Sequence, residues 1–188
     1  MSNQELYDTM IVKDNIISNS GTVLVSNVEA IVKAQTDSML ANKTRYAGIA
    51  RAFVNPGLKW WLVGVIHQME CSQNFSRYLG NGQPLNQVTT IEPIGRGPFP
   101  TFEAGAIDAL KLQNANDITD WSIDGVLHFL EGYNGYGYSK YHNMNSPYLW
   151  SGSNQYTSGK YVADGKFDAN AVSQQVGVAL LLKVIINQ

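Results

Sequence analysis

A carboxyl that donates a proton near neutral pH has to sit among apolar groups, because burial penalises its charged form. Glu70 meets that requirement on sequence. It closes a segment in which Leu58, Trp61, Leu62, Val65, Ile66 and Met69 recur at helical spacing. Ile66 stands one turn back and Val63 two turns back on the same line. The carboxyl therefore projects from the edge of an apolar stripe, where a loop begins. Burial there would raise its pKa and suit it to general acid catalysis, the protonation of a leaving oxygen. A solvated helix-end glutamate has the same pattern, and the residues alone leave both readings open.

The neighbouring Cys71, with His128 or His142 as base and a later Asn, has the chain order of a papain-like nucleophile. A reactive thiol is normally activated at a helix N-terminus or beside a cation. Cys71 falls instead where its helix ends and the dipole is negative, which argues against that chemistry. His67, His128 and His142 lack metal-ligand spacing. The segment Asp164-Gly165-Lys166-Phe167-Asp168 lacks the alternating ligands of a calcium loop, and Asp168 reads as the N-cap of the last helix. No metal and no cofactor is expected.

Aromatic residues form the third concentration of chemistry. Seven of the ten tyrosines (133, 136, 138, 141, 148, 156 and 161) lie with Trp150 between residues 133 and 161. Such rings stack on sugar faces while their polar edges hydrogen-bond, and they also pack loops onto cores.

The elements that must position these residues are mostly helices. Ser26 and Glu29 fit a capping box, followed by helical periodicity over 26–41. A short helix over 45–54 stops at the Asn55-Pro56-Gly57 turn, and the Glu70 helix comes next over 58–69. Residues 79–100 hold four Gly and four Pro and must be loop, with a small strand at 88–91. Pro100-Thr101 opens a helix over 102–112, and another runs from 120 or 121 to 132. Residues 133–168 read as a long functional loop, and 169–186 as a last helix, apolar nearly all round and buried. Residues 1–24 read as an irregular arm, leaving 25–188 as one mainly α domain.

Composition narrows the function classes. The chain has 188 residues, 44% hydrophobic and 15% charged, which is globular. One cysteine excludes an intrachain disulfide, and a net charge of −2 without a basic stripe argues against nucleic-acid binding. The first 17 residues carry acids and no apolar core of a signal peptide. The most apolar stretch, 176–186, is interrupted by Lys183 and is about half the ~20 residues of a membrane span. The expectation is a soluble protein made in the cytoplasm, without membrane insertion.

Four blocks in order carry a resemblance. They are His67-Gln68-Met69-Glu70-Cys71-Ser72-Gln73-Asn74-Phe75 with Tyr78-Leu79-Gly80-Asn81-Gly82-Gln83-Pro84-Leu85; Phe102-Glu103-Ala104 with Ala106-Ile107-Asp108-Ala109-Leu110; Tyr133 to Tyr138 running into Asn145 to Ser151; and Tyr156 to Gly165 with Phe167-Asp168. They resemble phage and bacterial lysozyme-like proteins, distant relatives of goose-type lysozymes and soluble lytic transglycosylases, and the resemblance covers roughly residues 45–182. The resemblance implies a mainly α lysozyme-like domain with long loops and at most a small β element. It implies an endolysin-like glycosidase that cuts the MurNAc-GlcNAc β-1,4 bond of the peptidoglycan glycan strand.

In that superfamily a Glu-Ser pair ends a helix and the Glu is the catalytic acid; Glu70-Cys71 takes this place. Tyr133-Asn134-Gly135 resembles the later Tyr-Asn motif that lines the cleft. The implied substrate-binding residues are Cys71, Asn81, Gln83, Tyr133, Asn134, Tyr136, Tyr138, Tyr148 and Trp150. Cys71 stands where the family has Ser, and Gln83 where relatives often carry Asp, so a second catalytic carboxylate is not evident. The other acids near matched blocks are Glu92, Glu103, Asp108 and Glu131, of which Glu131 is the candidate second acid. A single carboxylate would need the 2-acetamido group of the sugar to assist. Action on the wall would also require a separate release or delivery system. The rival expectation is a glycan-binding module that kept the fold and lost turnover.

Overall fold

The computed structural model of the chain describes residues 1–53 and 57–188; the Asn55-Pro56 part of the expected turn lies outside them. The fold is mainly helical. In chain order the elements are α1 (Asn3–Asp8), β1 (Asn15–Ile17), β2 (Val23–Ser26), α2 (Val28–Ala41), α3 (Lys43–Ala50), α4 (Trp60–Cys71) and α5 (Phe102–Leu112). After a single 3-10 turn at Ala115–Asp117 come α6 (Ile123–Asn134), α7 (Gly137–His142), α8 (Pro147–Trp150), β3 (Lys160–Ala163), β4 (Lys166–Asp168) and α9 (Val178–Ile185). The strands pair only as two antiparallel hairpins, β1 with β2 and β3 with β4. Among the described residues no helix is long and apolar enough to cross a membrane.

Where the sequence reads as one domain behind an arm, the chain is organised as two compact units. One comprises Met1–Asp37 with Asp120–Gln188, the other Ser38–Thr119. Residues 1–24 are not irregular. Ser2 and Glu5 form a complete capping box that starts α1, and the backbone N–H of Gln4 donates to Asp124 Oδ1 at 2.9 Å. Further along, Ile11 N–H donates to Asn154 Oδ1 at 2.7 Å and Lys13 N–H to the Gly152 carbonyl at 2.9 Å. The capping pattern at Ser26 and Glu29 is superseded. Ser26 ends β2, and Asn27, at φ +55°, caps α2 by accepting from Ala30 N–H at 3.3 Å.

In the first unit α9 forms the apolar centre: Val178, Ala179, Leu180, Leu181, Leu182 and Ile185 are all buried. It is shorter than its hydrophobic pattern suggests, because upstream backbone groups find tertiary partners instead of helical ones. Gly159 N–H donates to the Ala171 carbonyl at 2.8 Å, Ser173 N–H to the Tyr156 hydroxyl at 3.2 Å, and Gly177 N–H to the Ser151 carbonyl at 2.8 Å. Asp168 accordingly belongs to β4 and does not cap α9. Gly177 sits so close to α8 that a Cβ would stand 2.4 Å from the Leu149 carbonyl oxygen.

The second unit is built on α4. Every residue of 61–69 is buried, so the expected one-sided stripe is in fact a helix enclosed all round. His67 is enclosed with it. Its Nδ1 lies 2.9 Å from the Tyr46 hydroxyl, and its ring packs 4.6 Å from Phe75 and 4.3 Å from Phe102 between centroids. The Arg45 guanidinium covers the Phe75 ring at 3.9 Å and is ion-paired with Glu103. Burial pulls the His67 pKa down to about 4; the Asn74 carbonyl opposes this, and the Arg45 charge adds to it.

The ring is therefore neutral in the folded protein and cationic in the unfolded chain between those two pKa values. Unfolded chains bind the extra proton, so stability is lost as pH falls from about 6.5 towards about 4. The cost is roughly 3 kcal/mol at the acid end. Thermal melts at pH 7 and 4.5 should show a larger fall for the wild type than for His67→Phe. Equal falls would remove His67 as the cause.

Candidate active site

Glu70 occupies the last turn of α4 and is the one partly exposed position in its stretch, between buried Met69 and buried Cys71. The helix stops just beyond it because Ser72 and Gln73 both take left-handed backbone, at φ +50° and +57°. The chain then turns back as a tight hairpin over 76–85. Tyr78 N–H donates to the Gln83 carbonyl at 2.7 Å, Leu85 N–H to the Ser76 carbonyl at 3.0 Å, and Gly82 N–H to the Tyr78 carbonyl at 2.8 Å. The tip of this hairpin rests on the catalytic candidate itself. A Cβ at Gly82 would stand 2.6 Å from the Glu70 backbone oxygen, and Gly82 adopts φ +71°. Arg77 fixes the same tip by donating to the Gly82 carbonyl at 2.8 Å.

Cys71 faces inward, with its side chain buried and its thiol donating to the Tyr78 carbonyl at 3.4 Å. Burial and then the Glu70 charge push the thiol up to about 12, against the Arg77 charge. A thiol so placed is neither a thiolate nucleophile nor a substrate contact; it joins the helix end to the hairpin. Asn81 and Gln83, expected as substrate contacts, also have structural partners. Asn81 donates to the Ile91 carbonyl at 3.0 Å and accepts from Gln83 N–H at 3.1 Å. Gln83 accepts from Thr90 N–H at 2.8 Å and donates to the Thr90 hydroxyl at 2.9 Å. These amides hold residues 88–91 in an irregular course, so the expected strand there does not form.

The other carboxylates of this unit have different surroundings. Glu103 is paired with Arg45, which holds its carboxyl below the usual range. Asp108 accepts from Arg96 Nε at 3.0 Å and from the Tyr78 hydroxyl at 2.8 Å. Both carboxyls are engaged by a guanidinium. Glu92 is exposed on the loop.

The expected aromatic and acid residues of the first unit divide three ways. Tyr148 and Trp150 are buried in α8, with Trp150 only 1% exposed, so neither offers a ring to a ligand. Tyr133 is half-buried in the last turn of α6, and Tyr136 is exposed just beyond it. Tyr133 packs edge-on against Phe129, and Tyr136 folds back with its hydroxyl 3.1 Å from His128 Nε2. Glu131 is half-buried in the last turn of α6, and its charge helps raise the Tyr136 pKa after burial. Asn134 and Tyr138 line an open groove of about 490 Å³. Asn134, Gly135, Gly137 and Tyr138 form part of its lining, and Tyr161, Ala163, Asp164 and Gly165 of the β3–β4 hairpin form the rest.

Sequence reasoning does not single out these hairpin residues as a site, although a signal for them exists. Asp164-Gly165 between two β-rich segments is a hairpin turn, and its likeness to a poor calcium loop obscures that. Among the described residues no cluster of three or more His, Cys, Asp or Glu side chains could hold a metal ion. No family model matches the chain, and no curated protein or solved structure matches it.

Two substitutions test this geometry. Gly82→Ala should cost about 1–3 kcal/mol from backbone strain alone, and more from the clash with Glu70. Gly95→Ala shares the strain, at φ +78°, but meets open space, so it is the control. Equal urea midpoints for the two would mean that Gly82 does not pack on Glu70. Trp150→Ala should lose about 3–5 kcal/mol of stability, as core truncations do. A Trp150→Ala protein with an unchanged melting temperature would return that ring to the surface.

Proposed function

We propose that this chain is a peptidoglycan glycosidase in which Glu70 protonates the glycosidic oxygen of the MurNAc-GlcNAc bond. The observation that carries the reading is the setting of Glu70: a carboxyl in the last turn of an enclosed helix, with a hairpin tip built onto its own backbone. Such anchoring limits how far the carboxyl can drift, and positional restraint is a requirement of general acid catalysis. The resemblance of the surrounding blocks to lysozyme-like and lytic transglycosylase sequences supports the same assignment.

The pairing of Glu103 with Arg45 and of Asp108 with Arg96 favours Glu70 as the acid of its own unit. With one acid, the acetamido oxygen of the sugar supports the oxocarbenium-like centre while Glu70 gives its proton to the leaving oxygen. Glu70 then takes a proton back from the incoming nucleophile. If that nucleophile is the 6-hydroxyl of the same sugar, the product is an anhydro end; if it is water, the product is a reducing end. The groove lined by Tyr138 and Tyr161 also suits a glycan-binding module without turnover, which is the second reading.

Purified cell-wall sacculi discriminate these. Wild-type protein should release muropeptides, and Glu70→Gln should lose at least ~10²-fold of that activity while melting normally. Mass spectrometry of the digest reads the mechanism from anhydro or reducing muramic ends. Near-normal cleavage by Glu70→Gln ends the assignment, and sacculus binding without any cleavage by the wild type establishes the module.

A further inference from the structure

We infer that the groove between the α6–α7 corner and the β3–β4 hairpin is a binding subsite for a neutral pyranose, of the N-acetylglucosamine class. This rests on the glycan reading above, and it brings in hairpin residues to which the resemblance assigned no role. The groove, about 490 Å³, lies within the usual range for a small-ligand site.

Its floor is a fixed aromatic surface. The Tyr161 ring stands edge-on to Tyr138 and to Phe167, at 5.2 Å and 5.5 Å between centroids. Its hydroxyl is 3.0 Å from His142 Nε2, and His142 is stacked on Phe167 at 3.6 Å. The Tyr138 hydroxyl accepts from Tyr161 N–H at 3.1 Å. Both hydroxyls are therefore engaged with the protein, and what the floor presents to a ligand is the half-buried Tyr161 ring, braced by the buried Tyr138; ring surface is the part that packs against the C–H face of a sugar.

The rim supplies the polar contacts. Asn134 and Asp164 are exposed on opposite sides, an amide and a carboxylate able to pair with sugar hydroxyls and an acetamido N–H. Gly135 and Gly165 adopt φ +87° and +63°, and a Cβ at either would meet nothing within 4 Å. The rim is thus open, with backbone rather than side chain beside the entering ligand.

Charge selects the ligand. Asp164 is the only acidic residue among the described lining residues, and none of them is Lys, Arg or His. Phosphate, uronate and the lactyl-bearing sugar of the wall would bring a second negative charge with no counterion. A neutral N-acetylhexosamine brings none, and its amide N–H suits the carboxylate.

The test is titration calorimetry of the full chain with tri-N-acetylchitotriose and, separately, with trigalacturonate. The neutral trimer should bind saturably and the acidic one should not. Ala163 is exposed on β3 and lines the groove, so Ala163→Trp should fill it and weaken the neutral trimer by about tenfold or more with an unchanged melting temperature. Asp164→Asn, at the exposed turn, provides a second readout if that variant folds poorly, with an expected loss of about threefold or more. Wild-type-like affinity in a folded Ala163→Trp, or equal affinity for the acidic trimer, overturns the subsite. So does a wild type that does not bind chitotriose. Trimer binding by a wild type that does not cleave sacculi supports the subsite and ends only the catalytic reading. Intact cleavage with no trimer binding overturns the subsite alone.

Discussion

A helix buried around its whole circumference has no side to give to water, and α4 is such a helix. Trp61, Leu62, Val63, Val65, Ile66 and Met69 cover more than half of that circumference, and the side with Gly64, His67 and Gln68 is buried as well, so neighbouring elements must close around it. At about 25 cal/mol per Å² of apolar surface removed from water, that enclosure outweighs the cost of burying the two polar residues it carries. His67 is accommodated by the Tyr46 hydroxyl and two phenylalanine rings, and Gln68 by the side chain of Gln73 at 2.8 Å. The helix end then becomes the first point where the chain can meet solvent, and Glu70 stands there.

The chain beyond α4 is shaped by the same constraint. A rigid helix end with left-handed residues at 72 and 73 throws the backbone back on itself, and the 76–85 hairpin lands on the Glu70 backbone. Cys71 fits this role better than a hydroxyl would in one respect. A thiol is content in an apolar enclosure with one weak bond to a carbonyl, whereas a buried hydroxyl needs fuller partners. The amides of Asn81 and Gln83 extend the construction by holding 88–91. Residues that read as substrate contacts thereby become the frame of a carboxyl.

The first unit solves a different problem with its aromatics. Tyr148 and Trp150 serve its core, while Tyr138, Tyr161 and Phe167 brace one another beneath an open groove. The small β3–β4 hairpin is stable in this setting because its inward rings pack on α7 and on His142, whereas a lone two-stranded hairpin is marginal in water.

Local periodicity was enough to establish four helices of this protein, while α1, α7 and α8 lie in stretches that read as arm or loop. The 3.6-residue pattern placed α2, α4, α5 and α6 to within a few residues, and the Thr101 cap of α5 was legible as Pro100-Thr101. Each of those signals is carried by neighbours on one turn, so no tertiary information was needed. Three other features depended on partners distant in sequence. Ser2-Glu5 and Ser26-Glu29 carry the same capping pattern, and only the first forms the box, because β2 pairing claims Ser26. The pattern of α9 extends beyond the helix, because Ser151, Tyr156 and Gly159 take the backbone of 171–177. The aromatics of 133–161 have one composition and two fates, core or groove. Burial is a property of the surface that arrives opposite a side chain, and a sequence does not state what arrives.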